Sequence, residues 1–180
     1  MTGLYKAKRK DNGEWVEGFY TQLPKTSLGA TIISGGDLCA EDVADYIIHN
    51  FSKQHSNFSN SFPIEVVESE IYEIDPETLC RPIGIKDKNG REIWENDIVV
   101  CEHEKYPEDK RDLEFPFFPE PVKYKRNYKV EFVNTGFNYG YRLRNKSIHF
   151  MLKGNVIYNH NVRVVGNIFD NPDLMERTVE

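Results

Sequence analysis

His103 stands between Glu102 and Glu104, two residues after Cys101, and these are side chains that metal or acid–base chemistry would use. Alternate residues of a strand share a face, so Cys101 and His103 are expected to point the same way. Two ligands do not complete a metal site, and the simpler reading is a strand running out into a charged loop. His149 and His160 have no catalytic partner near them in the sequence. Ser34-Gly35-Gly36-Asp37 lacks the spacing and the lysine of a phosphate-cradling loop, and no Gly-x-Ser-x-Gly elbow occurs. The expectation is a protein that is not an enzyme, with no catalytic residue, no cofactor and no metal.

Two other segments carry chemistry of a binding kind. From Val122 to Lys146 the chain holds Lys123, Lys125, Arg126, Lys129, Arg142, Arg144 and Lys146 against the single acid Glu131, with aromatics interleaved. If Tyr128, Val130 and Phe132 face a core on one strand, and Tyr139, Tyr141 and Leu143 on the next, then Lys129, Arg142 and Arg144 point outward together. Such a face could meet phosphates, with stacking from nearby rings; outward basic residues are equally what a soluble strand carries. The second segment, Phe115-Pro116-Phe117-Phe118-Pro119, is too apolar to hang in water, so Phe115, Phe117 and Phe118 are expected to pack on their own domain or on a partner. The acids of Glu65 to Glu77 alternate between the two faces of a strand and fit a solvated edge better than a cation site.

The whole chain of 180 residues has a formal net charge of −6, 39% hydrophobic residues, 13% aromatics and a mean hydropathy of −0.61. The net charge argues against a globally basic nucleic-acid coat, and the aromatic content favours sheet. Cys39, Cys80 and Cys101 form no CxxC pair and are expected as free buried thiols in a reducing compartment. The first residues lack the apolar core of a signal peptide and no apolar run reaches membrane-spanning length. A cytoplasmic protein with no membrane contact is expected.

The elements that must position these residues are mostly strands. Asp11-Asn12-Gly13 and Asp87-Lys88-Asn89-Gly90 offer the positive-φ residues of tight hairpin turns. Gly18 in mid-strand marks a bulge or a close backbone approach. Val43, Ala44, Ile47, Ile48 and Phe51 follow helical spacing, which predicts a helix over about 40–51, the longest in the chain. Four prolines between 105 and 123 mark an irregular insertion. Short strands are expected over 149–152, 156–158 and 162–165. The expected core includes Trp15, Phe19, Ile47, Phe51, Ile93, Trp94, Ile98, Val130, Phe132, Tyr141, Val164 and Ile168.

Three stretches in order carry a family likeness. They are Tyr72-Glu73-Ile74-Asp75-Pro76-Glu77-Thr78, the run from Gly84 through Asn89-Gly90-Arg91-Glu92-Ile93-Trp94-Glu95-Asn96-Asp97-Ile98-Val99, and Val164-Val165-Gly166-Asn167-Ile168-Phe169-Asp170-Asn171-Pro172. Together with Trp15-Val16-Glu17-Gly18-Phe19 they resemble the YopX family. The chain departs from its pattern at Cys80-Arg81-Pro82-Ile83 and at Asn96, where glycine is common. The resemblance implies a mainly β protein encoded by phages and prophages. A β-hairpin unit with one helix would span 1–80, and a C-terminal SH3-like β-barrel 81–180. It implies no activity. The expected function is binding, through contacts with a phage or host protein or by self-association, in the cytoplasm of a bacterial host. Nucleic-acid binding by the 122–146 face is the alternative.

Overall fold

A computed structural model of the chain describes residues 4–25, 43–56, 64–106, 120–146 and 148–176. It divides into two compact units, Met1–Pro82 and Ile83–Glu180.

The first unit is a four-stranded antiparallel sheet in the order β1 (Tyr5–Lys8), β2 (Trp15–Pro24), β3 (Val43–Ser56), β4 (Ile64–Glu73). The β1–β2 hairpin turns at Asn12-Gly13, where Gly13 has φ +73° and its N–H bonds to the Arg9 carbonyl at 2.9 Å. Ala7, Val16, Ile47 and Ile74 form the buried core, with Tyr5, Tyr20, Tyr72 and Leu79 packed around it. Gly18 sits just before the first β2–β3 pair, Phe19 with Ile48: a Cβ there would come within 2.2 Å of the Ile48 carbonyl oxygen. The mid-strand glycine is thus a close backbone approach. A 3-10 turn, Pro76–Thr78, follows β4.

Two expectations for this unit are overturned. The segment expected as a helix over 40–51 is, from Val43 onward, the 14-residue strand β3. It is paired to β2 over Val43–Ile48 and to β4 from Tyr46 onward, so strand ladders take up the backbone groups a helix would have used. β-branched Val43, Ile47 and Ile48 lose χ1 freedom in a helix and fit a pleated surface better. Asp45 on this strand accepts from the Tyr20 hydroxyl at 2.5 Å and from Gln22 Nε2 at 3.0 Å. The faces of β2 are also reversed. Val16 is buried while Trp15 is half-buried and Phe19 is 43% exposed. The core side of β2 is the side on which Gly18 lets Ile47 approach, and Trp15 instead lies under the ammonium groups of Lys6 and Lys8, at 5.3 and 5.7 Å.

The second unit holds a two-stranded sheet, β5 (Pro82–Lys86) with β6 (Glu92–Trp94), and a five-stranded antiparallel sheet. The latter runs β10 (Ile148–Met151), β9 (Tyr139–Asn145), β8 (Val122–Asn134), β7 (Asp97–Lys105), β11 (Arg163–Asn167). The expected closed SH3-like barrel is not formed. The four-residue β10 and five-residue β11 end the order at opposite edges and do not pair with each other, so among the described residues the sheets are open. The core is Ile93, Val99, Cys101, Tyr128, Val130, Leu143, Leu152, Ile157 and Val162. Trp94 and Ile98 are also buried, whereas Phe132, Tyr141, Val164 and Ile168 are half-buried.

Gly154–Asn159, expected in part as a strand, is a helix of six residues and the one α-helix among the described residues. Its brevity lets Ile157 reach the core and returns the chain at Asn161 (φ +53°) directly into β11. Asn96, in the β6–β7 turn, takes φ +69°; asparagine tolerates that region at modest cost. Phe51 and Cys39, and Phe115, Phe117 and Phe118 of the expected insertion, lie outside the residues whose side chains are described.

Candidate functional site

β8 and β9 are registered Lys129 to Arg144, Glu131 to Arg142 and Phe132 to Tyr141. Partners in an antiparallel pair share a face, so the three expected basic residues do stand together, with Val130 and Leu143 buried on the other side. Their electrostatics differ from a phosphate-binding stripe. Glu131 Oε1 lies 2.6 Å from the Arg142 guanidinium and 3.5 Å from that of Arg144. Arg142 is itself half-buried, so its charge is held by a carboxylate rather than offered outward. The one acid of the segment sits in the middle of its cations.

The same hairpin turns at Thr135–Asn138, closed by the Thr135 N–H to the Asn138 carbonyl at 3.0 Å and by Asn138 N–H to Thr135 Oγ1 at 3.2 Å. Phe137 at the apex is 99% exposed and Tyr139 is 77% exposed. Tyr139 was expected to face the core with Tyr141 and Leu143; it keeps their face but lies past the end of the core. Phe132 meets both Tyr139 and Tyr141 edge-on, at 5.2 and 5.4 Å, so the tip is braced from beneath.

At the other end of β8 the chain brings together residues that sequence spacing kept apart. The rings of His103 (β7) and His160 lie 5.0 Å apart. His103 also stacks on Tyr124 at 5.3 Å and 22°, and its Nε2 is 2.9 Å from the Tyr128 hydroxyl. The His160 Nδ1 is 3.2 Å from the Glu102 carbonyl. That oxygen only accepts, so Nδ1 carries the hydrogen and Nε2 keeps a lone pair in the neutral ring. Glu102 is held by Asn161 Nδ2 at 2.7 Å and by Arg163 at 2.9 Å, contacts that keep its carboxyl below its usual pKa. Glu102, His103, Tyr124, His160 and Asn161 line a cleft of about 470 Å³ with Lys88, Lys123 and Tyr158 on its walls.

Burial lowers the pKa of His103 from its ordinary 6.5, with the charges of His160 and Arg126 adding to the effect. The folded protein therefore favours the neutral ring. Stability from this group is fully present above pH 6.5, and it is lost as pH falls through the depressed folded-state value. An NMR titration of the imidazole Cε1 proton should give a midpoint below 6.5 for His103. A midpoint at or above 6.5 would mean that the ring is not desolvated.

Cys101 and His103 do share a face, as alternation requires, but Cys101 is fully buried and its thiol is pushed up to about 12 by burial. It is no nucleophile near neutral pH. Cys80 is likewise buried and in no disulfide, its thiol donating to the Thr78 carbonyl at 3.2 Å. No group of three or more metal-ligating side chains occurs among the described residues. The acid run ends as an edge strand, with Glu73 2.7 Å from Lys10. No helix among the described residues is long and apolar enough to cross a membrane.

The chain is similar in structure to the crystal structure of protein EF1440 from Enterococcus faecalis. Sequence identity is 20%, coverage is 96% of each chain and the TM-score is 0.45. Comparison with curated proteins gives no match. The family model described as YopX protein matches residues 4–176, nearly the whole length. The chain belongs to the YopX protein family.

Proposed function

We propose that the protein is a non-catalytic phage or prophage accessory protein that binds another protein in the cytoplasm of the bacterial host, using the tip of the β8–β9 hairpin. The observation that carries this reading is the exposure of Phe137 and Tyr139 on a braced turn. Water makes an exposed aromatic pair costly to keep without use, and aromatic anchors beside arginine are the side chains that dominate protein interfaces. Arg142, Arg144 and Glu131 supply both signs of charge on the other face of the same hairpin, which suits a protein surface with mixed charge. The nucleic-acid alternative, through Lys129, Arg142 and Arg144, is disfavoured by the carboxylate among them.

The test is affinity purification of the full chain from an induced or infected host, beside a Phe137→Ser, Tyr139→Ser double variant checked for intact folding. Each residue acting as an anchor should account for about a 30-fold loss of affinity or more, so the specific protein seen with the wild type should disappear. The same proteins recovered with both forms would overturn the reading. Recovery of nucleic acid that is lost in an Arg142→Glu, Arg144→Glu variant would replace it with the alternative.

A further inference from the structure

We propose that the cleft between β7, β8 and the helix Gly154–Asn159 binds a nucleotide, taking its base among the aromatic rings and its phosphate at the lysines. This site is independent of the hairpin tip: β8 runs from Tyr124 at the cleft to Asn134 at the turn, roughly 33 Å of extended chain. Neither the family nor the sequence assigns it a role.

Three kinds of group converge there. The first is flat π surface. His103 and Tyr124 are already stacked on each other, and Tyr158 presents a ring from the helix, 78% exposed to solvent. A tyrosine held out on a short helix beside other rings is a stacking platform for any base. The second is positive charge suited to one phosphate. Lys88 and Lys123 line the cleft, and Arg126 lies over the Tyr124 ring at 5.6 Å. Of the two nearby acids, Glu102 is committed to Arg163 and Asn161, and Glu104 only loosely engages Lys123 at 3.9 Å. The third is hydrogen-bonding edge. The lone pair on His160 Nε2 accepts from a base amino group, and the Asn159 amide both donates and accepts. At about 470 Å³ the cleft is within the range of small-molecule sites. Rings alone would suit any aromatic compound and lysines alone any anion. Rings, cations and base-edge groups together select a heteroaromatic ring joined to a phosphate.

A free nucleotide and the phosphorylated end of a single strand share this chemistry. Isothermal titration of the full chain with AMP, GMP and CMP, beside adenosine, ribose 5-phosphate and inorganic phosphate, tests it. A nucleotide should bind more tightly than its nucleoside or its sugar phosphate. Tyr158→Ala should weaken it at least about fivefold, the lower end of what one stacked base contributes, and Lys88→Ala should abolish the advantage of AMP over adenosine. Both residues are exposed, so neither change should disturb folding. A 5′-phosphorylated trinucleotide binding more tightly than AMP would identify strand ends as the source, and equal affinity a free nucleotide; either result upholds the site. Absence of binding at millimolar nucleotide, ribose 5-phosphate binding as well as AMP, or unchanged affinity in Tyr158→Ala would overturn it.

Discussion

Replacing Gly18 by alanine should unfold the N-terminal unit or nearly so, although the change adds one methyl group. The added Cβ would stand 2.2 Å from the Ile48 carbonyl oxygen, 2.7 Å from Ile47 Cγ2 and 2.9 Å from the Ile48 carbonyl carbon. Two of those three atoms are backbone, fixed by the β2–β3 ladder that begins at Phe19 and Ile48. No rotamer change can relieve the overlap, so β2 must lift from β3 and lose pairing. The cost should reach or exceed the upper end of the roughly 1–3 kcal/mol typical of overpacking. The chain has two tryptophans, Trp15 in the first unit and Trp94 in the second. Denaturant unfolding followed by Trp15 emission, in a Trp94→Phe background, isolates the first unit. A midpoint within error of the Gly18 parent would show that β2 does not approach β3 this closely.

Asp87→Ala should be the most damaging single polar substitution in the second unit. The side chain is buried. Its Oδ1 accepts from the Asn89 N–H at 2.8 Å and the Arg91 N–H at 2.9 Å, closing the Asn89-Gly90 turn. Its Oδ2 accepts from the Val164 N–H at 3.0 Å, tying that turn to β11. Alanine leaves all three donors without this acceptor, and hydrogen bonds to a charged group contribute about 1.5–3 kcal/mol each without simple additivity. A loss on the order of 4 kcal/mol is expected. Asp87→Asn should fall between, because an amide oriented to keep the turn presents an N–H to Val164. Chemical denaturation of the Trp15→Phe protein, read through Trp94, gives both values. Equal stability of the alanine and wild-type proteins would mean that water replaces the carboxylate without penalty.

The parts of this architecture that the sequence reveals are those decided by a few adjacent residues. Asn12-Gly13 and Asn89-Gly90 turn where expected because a positive φ is a local requirement, met at Gly13 and Gly90. Gly18 signals close approach for a similar reason: nothing with a side chain fits. The parts that stay hidden are decided by distant partners. Val43, Ala44, Ile47 and Ile48 have helical spacing, yet two neighbouring strands claim their backbone. Trp15 and Phe19 are larger than their neighbours Val16 and Gly18, but which face is buried depends on Ile47 arriving beside Gly18. His160 looks isolated because its neighbour His103 belongs to another strand, and only the β7–β11 pairing and the helix before β11 bring them together. In the basic segment Lys129, Arg142 and Arg144 are placed correctly by alternation. The weight of Glu131 is not legible until the register sets it opposite Arg142.

Recognition of a protein partner by the hairpin tip is most directly tested by contact at Phe137 itself. A photo-crosslinking aromatic amino acid placed at 137, in the full chain and in the host, should yield one discrete adduct on irradiation. The same residue placed at exposed Val165 on β11 of the same unit should not yield that adduct. A single protein covalently joined at 137 and absent at 165 is the expected result. No adduct at 137, or the same products from both positions, would contradict the account.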